Sequence, residues 1–299
     1  MEFFNFNVSK NRIYWVDWLK TIAILAVLLL HCSSKYLLPE CVFQPNWYWG
    51  VFFESISRFG VPLFIMVSGF LILRKDQPIS SVPRRIKRIL IPFIFWLVIY
   101  VIAKFVMINH SFDLFQFGYF LIQAFLDPTI ASIEFWFVYM ILGLYVFSPI
   151  ITTWLHNAEI YEIEYFLIVW ALFSFVGFSN VDFLLYAIGG QSLLFFNLGD
   201  VTPNACLQAI GIFIMVSNTD WEKYSKSINN AAVCFGIGSY GVYLANVLFI
   251  NILDKIISFD IMRNAALTII LEWIIVFIVC NIFIRLMSKI PVLDKFSGI

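Results

Sequence analysis

Lys20 and His31 stand eleven residues apart in one apolar run, Val16–Ser34. In a helix, eleven steps return to within about 20° of the start, so both side chains share a face. The rise separates them by roughly 16 Å, about half of a bilayer's hydrocarbon core. Titratable groups in such a run are costly to insert and mark a functional site by default. An imidazole titrates near neutral pH and accepts protons from hydroxyls, which makes His31 a candidate general base. The competing reading is a helix-end histidine bonded to a neighbouring span. Lys20 can neutralise a carboxylate or a phosphate, or snorkel to the nearer interface. Asp17, three residues before Lys20, can pair with it.

Three further segments carry chemistry. Arg84-Arg85-Ile86-Lys87-Arg88 is the densest positive cluster. Its arginines suit bidentate contact with the phosphates of a nucleotide-bearing donor, and the same charges set membrane orientation. Arg58 opens the segment Arg58–Phe70 at the mouth of a second apolar run. It can meet a substrate or pair with Glu54 at i, i+4. Pro62 bends that run, and Ser68-Gly69 permit close helix approach. The cluster Glu134-Phe135-Trp136-Phe137-Val138-Tyr139 reads as an interfacial aromatic belt, or as a platform on which Trp136 stacks a sugar ring. His31, His110 and His156 share no ligand spacing, and Cys32, Cys41, Cys206, Cys234 and Cys280 form no CxxC or CxxH. No metal site is expected. A Cys32–Cys41 bridge is possible, with separate packed thiols as the alternative.

The elements that position these residues are membrane spans. The chain is 62% hydrophobic and 13% charged, with a mean hydropathy of +0.89. A soluble domain carries about 25% charged residues. The expected fold is all-α: a polytopic transmembrane helical bundle of eight to ten spans, forming one membrane-embedded domain over residues 1–299. Zero net charge leaves no basic face for nucleic acid. The N-terminal stretch MEFFNFNVSKNR lacks an apolar h-region, so the first span is expected to serve as the insertion signal.

Apolar runs place spans at Val16–Ser34, Trp47–Leu73, Ile86–Ile108, Phe135–Trp154, Tyr165–Phe178, Pro203–Ser217, Ala231–Leu253 and Ala265–Met287. Phe183–Leu198 is expected to be re-entrant, interfacial or one of an unmatched pair of crossings. The positive-inside rule puts the Arg74–Arg88 loop in the cytoplasm, together with both termini. Asn109–Glu134 becomes an outer loop, and His31 lies near the outer face with Lys20 nearer the cytoplasm.

These segments together resemble the acyltransferase-3 family of integral membrane acyltransferases. Asp17-Trp18-Leu19-Lys20-Thr21 followed by His31 matches the family's Arg/Lys-x10-His signature. Arg58–Phe70 is similar to its R-x-x-V-P-L-F-F-x-x-S-G segment, and Arg85-Ile86-Lys87-Arg88 to its Arg-x-x-Arg motif. Phe135-Trp136-Phe137 resembles its W-F element, and Ser239-Tyr240-Gly241-Val242-Tyr243-Leu244 its S-Y-x-x-Y-L element. The wording of Arg58–Phe70 looks most like the enterobacterial-common-antigen O-acetyltransferase type. Two departures stand out: the chain is shorter than family members near residues 178–200, and Asn246 stands where many members carry His.

The resemblance implies an O-acetyltransferase of the bacterial cytoplasmic (inner) membrane. It would move an acetyl group from acetyl-CoA, a co-substrate and not a bound cofactor, to a hydroxyl of a cell-surface or lipid-linked glycan. His31, Lys20 and Asp17 would be catalytic, with His31 acting as base or as acyl carrier. Arg84, Arg85 and Arg88 would bind the donor, and Arg58, Ser68, Trp136 and Tyr240 the substrate. Two other classes compete: a transporter or flippase for a lipid-linked saccharide, and a non-catalytic partner of a polysaccharide synthase.

Overall fold

The computed structural model describes residues 12–38, 41–76, 78–108, 114–170, 172, 203–256 and 264–299, and these are helical with short turns between. In chain order the helices are α1 (Tyr14–Ser34), α2 (Pro45–Ser57), α3 (Gly60–Leu73), α4 (Val82–Ile108), α5 (Leu114–Leu126) and α6 (Trp136–Asn157). After them come α7 (Pro203–Ser217), α8 (Lys226–Ile256) and α9 (Ala265–Lys289). Residues 160–170 are helical as well. Among the described residues, six helical segments are long and apolar enough to cross a membrane. They are Tyr14–Leu37, Pro45–Leu73, Ile79–Val106, Ile133–Asn157, Lys226–Ile256 and Ala265–Lys289. The predicted span Pro203–Ser217 is a helix of 15 residues, about 22 Å long and short of a full crossing. The expectation for Phe183–Leu198, and the end of Tyr165–Phe178, lie outside the described residues.

Two local features differ from the expected layout. Trp47–Leu73 is not one continuous helix: α2 stops at Ser57 and α3 begins at Gly60. Pro62 has no N–H for the Arg58 carbonyl, which removes one rung of the ladder at this break. Pro62 falls in the first turn of α3, where a missing N–H costs least. The expected loop Asn109–Glu134 holds α5, thirteen residues of LFQFGYFLIQAFL. At about 20 Å this helix is too short to span, and it packs beside α4.

The chain forms two compact units. The first comprises residues 1–75, 151–237 and 259–273; the second, 76–150, 238–258 and 274–299. In the first, α1 packs on α2, α3 and α7, around Val16, Leu19, Ala23, Leu63, Val67, Ala209 and Val216. Gly60 lets α3 meet α1 closely, for a Cβ there would lie 2.9 Å from Val27 Cγ2 and 3.0 Å from the Ala23 carbonyl. Among the described residues, a Cβ on Gly69 would meet only Leu73 of its own helix within 4 Å, and the close approach of α3 to α1 is made at Gly60. The first half of α8 clasps the start of α1. The Trp18 indole donates to Asn229 Oδ1 at 3.1 Å, and the Thr21 hydroxyl reaches the Ala232 carbonyl at 2.9 Å.

In the second unit, Phe93 is fully buried and meets Phe135 edge-on at 5.3 Å. The Tyr240 hydroxyl donates to the Ile89 carbonyl at 2.9 Å, and the Tyr243 hydroxyl to the Glu134 carbonyl. The C-terminal segment turns back onto α4 and α8. Phe296 stacks on Phe95 at 4.7 Å, while the Trp96 indole donates to the Phe296 carbonyl at 3.3 Å. Gly298 takes φ +73°, the left-handed region that favours glycine.

Candidate functional site

α1 carries the reactive candidates because its apolar run leaves few other places for charge. Asp17, 3% exposed, accepts both arms of the Arg12 guanidinium, at 2.7 Å and 2.9 Å. The bidentate partner of Asp17 is therefore Arg12, where spacing pointed to Lys20. Its hydrogen bond holds the Arg12 guanidinium protonated beyond its ordinary range. The backbone of Asp17 also receives Gly236, where a Cβ would lie 2.8 Å from the Asp17 carbonyl oxygen. Asp17, Trp18 and Thr21 are thus occupied in holding α1 to α8. Lys20 is half-buried on the same helix.

His31, half-buried, lies in the last turn of α1. Three contacts hold this end of the helix. At Gly50 of α2, a Cβ would come within 2.8 Å of Tyr36 Cβ and 3.4 Å of the Ser33 carbonyl. The Trp273 indole donates to the Leu25 carbonyl at 2.8 Å. The Lys35 ammonium stands 2.8 Å from Glu272 Oε2. Glu272 is fully buried. Neither Lys35 nor Glu272 belongs to a motif. The signal was a lone carboxylate inside the apolar run LTIILEWIIVF, a residue that membranes admit only at a cost.

Arg58 pairs with Glu54, as the i, i+4 spacing allowed. Both are buried, at 8% and 4% exposure, so the guanidinium sits in the bundle beside the α2–α3 break. Ser68 is half-buried on α3. These residues share the first unit with Asp17, Lys20 and His31.

The second unit holds the rest. Arg84 and Arg88, four residues apart on the first turns of α4, are exposed. That arrangement is a forked cationic face suited to phosphate oxygens. Arg85 is half-buried and donates to the Ser148 hydroxyl at 3.4 Å. Trp136 is half-buried at the start of α6. Tyr240 spends its hydroxyl on Ile89, one residue after Arg88, which makes it a brace between α8 and α4. Asn246 is fully buried, its amide donating to the Tyr243 carbonyl at 2.5 Å.

His156 meets the Leu73 carbonyl at 2.9 Å. Cys32 and Cys41 are not joined in a disulfide. Among the described residues no group of three or more His, Cys, Asp or Glu converges on a metal position.

Residues 13–214 match the family model of the acyltransferase domain Acyl_transf_3. No curated protein and no solved structure matches the chain.

Proposed function

The chain belongs to the acyltransferase-3 family, and from that membership we propose that it moves an acetyl group from acetyl-CoA to a hydroxyl of a cell-surface or lipid-linked glycan. The family match and the long apolar helices together support acyl transfer by a multi-pass membrane protein. The donor, the acceptor and the bacterial cytoplasmic membrane are our reading. The observation that carries it is the match over residues 13–214, which takes in Lys20, His31 and the Arg84–Arg88 cluster.

In this reading the exposed fork of Arg84 and Arg88, with Arg85 beside it, binds the phosphates of the donor. Each guanidinium offers the bidentate fork that phosphate oxygens accept, and the two exposed ones stand about one helical turn apart. His31 takes the proton of the acceptor hydroxyl. The oxygen attacks the thioester carbonyl, forming a C–O bond, and the tetrahedral adduct collapses with cleavage of the C–S bond. The imidazolium returns its proton to the departing thiolate, leaving an O-acetyl ester and free CoA. Arg12, Asp17 and the first half of α8 hold the helix that bears His31. Arg58, Ser68, Trp136 and Tyr240 are proposed to serve acceptor binding. For Arg58 and Tyr240 this role is indirect, because their polar groups are engaged with Glu54 and Ile89. Both termini are proposed to lie in the cytoplasm, by the charge bias of the loops.

The test is transfer of radiolabelled acetyl from acetyl-CoA to the glycan fraction of membranes holding the parent or His31→Ala. Label with the parent and none with the inserted variant supports the reading. Transport of a lipid-linked saccharide without acetyl-CoA turnover would replace it with the transporter reading. Co-purification with a synthase and no acyl transfer would replace it with the partner reading.

A further inference from the structure

Adjacent residues of α9 grip α1 on both sides of His31. Trp273 holds Leu25, six residues before it, and Glu272 holds Lys35, four residues after it. Glu272 is fully buried, whereas the Lys35 side chain keeps 28% of its surface exposed. Such a carboxylate is expensive in an apolar bundle, and an ion pair there seldom improves on well-packed apolar residues. Stability alone therefore gives little reason for a carboxylate at this position. The turn Lys35–Leu37 also lies against Gly50 of α2, so both α2 and α9 contact the chain where α1 ends.

We infer that the Lys35–Glu272 ion pair is a positioning device for His31. This rests on the reading of His31 as the catalytic base. The pair pins the helical end that bears the imidazole to α9, and the Trp273–Leu25 bond supplies the second fixed point. A side chain carried between two such points keeps one orientation toward the reacting hydroxyl. Releasing one point lets the turn fray, and misplacement of a reacting group by about 1 Å is enough to cost on the order of a hundredfold in rate. Donor binding, assigned to arginines on α4, is not touched.

The experiment compares the full-length parent with Glu272→Gln, Lys35→Gln, the exchanged pair Lys35→Glu/Glu272→Lys, and His31→Ala. Each is measured in membranes over a range of acetyl-CoA concentrations. Both Gln variants should insert, keep the parent KM for acetyl-CoA, and lose about a hundredfold in kcat. The exchanged pair should recover most of that loss. Should Glu272→Gln fail to insert, Lys35→Gln decides, because its partly exposed side chain can be replaced without leaving an apolar cavity. Parent kcat in either inserted single variant, or a loss that the exchanged pair does not restore, overturns the inference. Diethylpyrocarbonate modification of His31, followed by mass spectrometry, supplies a second readout. Its rate should rise severalfold in the Gln variants, and an unchanged rate also overturns the inference. Full transfer by His31→Ala would sink the role of His31 instead, while the modification rates still report whether the pair holds the imidazole.

Discussion

Gly236 of α8 lies against the backbone of Asp17, so close that a Cβ on the glycine would stand 2.8 Å from the Asp17 carbonyl oxygen and 3.1 Å from its Cα. The motif that begins α1 therefore meets a helix from far along the chain backbone to backbone.

Gly236→Ala should push α8 off α1, since neither backbone can yield as a flexible side chain would. The expected loss is about 1–3 kcal/mol, read as a lowered thermal midpoint in detergent. Gly118→Ala is the control, because none of the described residues lies within 4 Å of the added Cβ. Equal midpoints for the two variants would show that the contact is not tight.

Asp17→Asn removes the charge from the fork with Arg12 and should cost about 1.5–3 kcal/mol of stability. The pH dependence follows from Arg12, whose pKa the Asp17 hydrogen bond raises. A raised value contributes stability at every pH below the unfolded value, lost only as pH climbs through the folded one. Arginine reaches neither in ordinary buffers. The Arg12 contribution should therefore be flat from about pH 6 to pH 9. A steep change in that window, absent from Arg12→Gln, would contradict it.

Arg58→Leu should leave Glu54 buried without its partner, a loss of about 3–5 kcal/mol. The double variant Glu54→Met/Arg58→Leu should regain most of it. If transfer activity returns with stability, Arg58 serves the fold; if stability alone returns, it serves the substrate.

Arg88→Ala should raise the KM for acetyl-CoA by about tenfold or more, the value of a charge-assisted contact, with kcat little changed. The increase should shrink at high salt as exposed charges are screened. An unchanged KM in both Arg84→Ala and Arg88→Ala would remove the donor role from this cluster.

Gly241→Ala should displace the C-terminal segment, because the new Cβ would run into the Ser297 carbonyl. Ser297→Cys, at a position buried in the parent and made in a chain whose partly exposed Cys41 and Cys206 are replaced by Ser, should react with a maleimide only when Gly241→Ala is also present. Reaction in both backgrounds would mean that the segment is not held against α8.

The helices were legible in the sequence wherever apolar runs were long. α1, α4, α6, α8 and α9 fall within a few residues of the predicted spans, because a chain that must satisfy its own backbone in a bilayer forms helices there. The shared face of Lys20 and His31 follows from helical periodicity alone, and so does the Glu54–Arg58 pair at i, i+4. Motif spacing did not reach Glu272: its partner Lys35 lies in the first helical hairpin, and nothing local to LTIILEWIIVF names it.

The sequence by itself determined what 3.6-residue periodicity and hydropathy can specify: an all-helical membrane chain with titratable groups on one stripe of α1. Which groups meet was decided only by the tertiary structure. Asp17 meets Gly236, Trp18 meets Asn229, Lys35 meets Glu272, and Tyr240 braces Ile89. The physical reason is that every apolar face looks alike to lipid, so polarity does not rank the possible helix pairings. Close contact at glycines and buried polar partners do, and those are properties of two helices together.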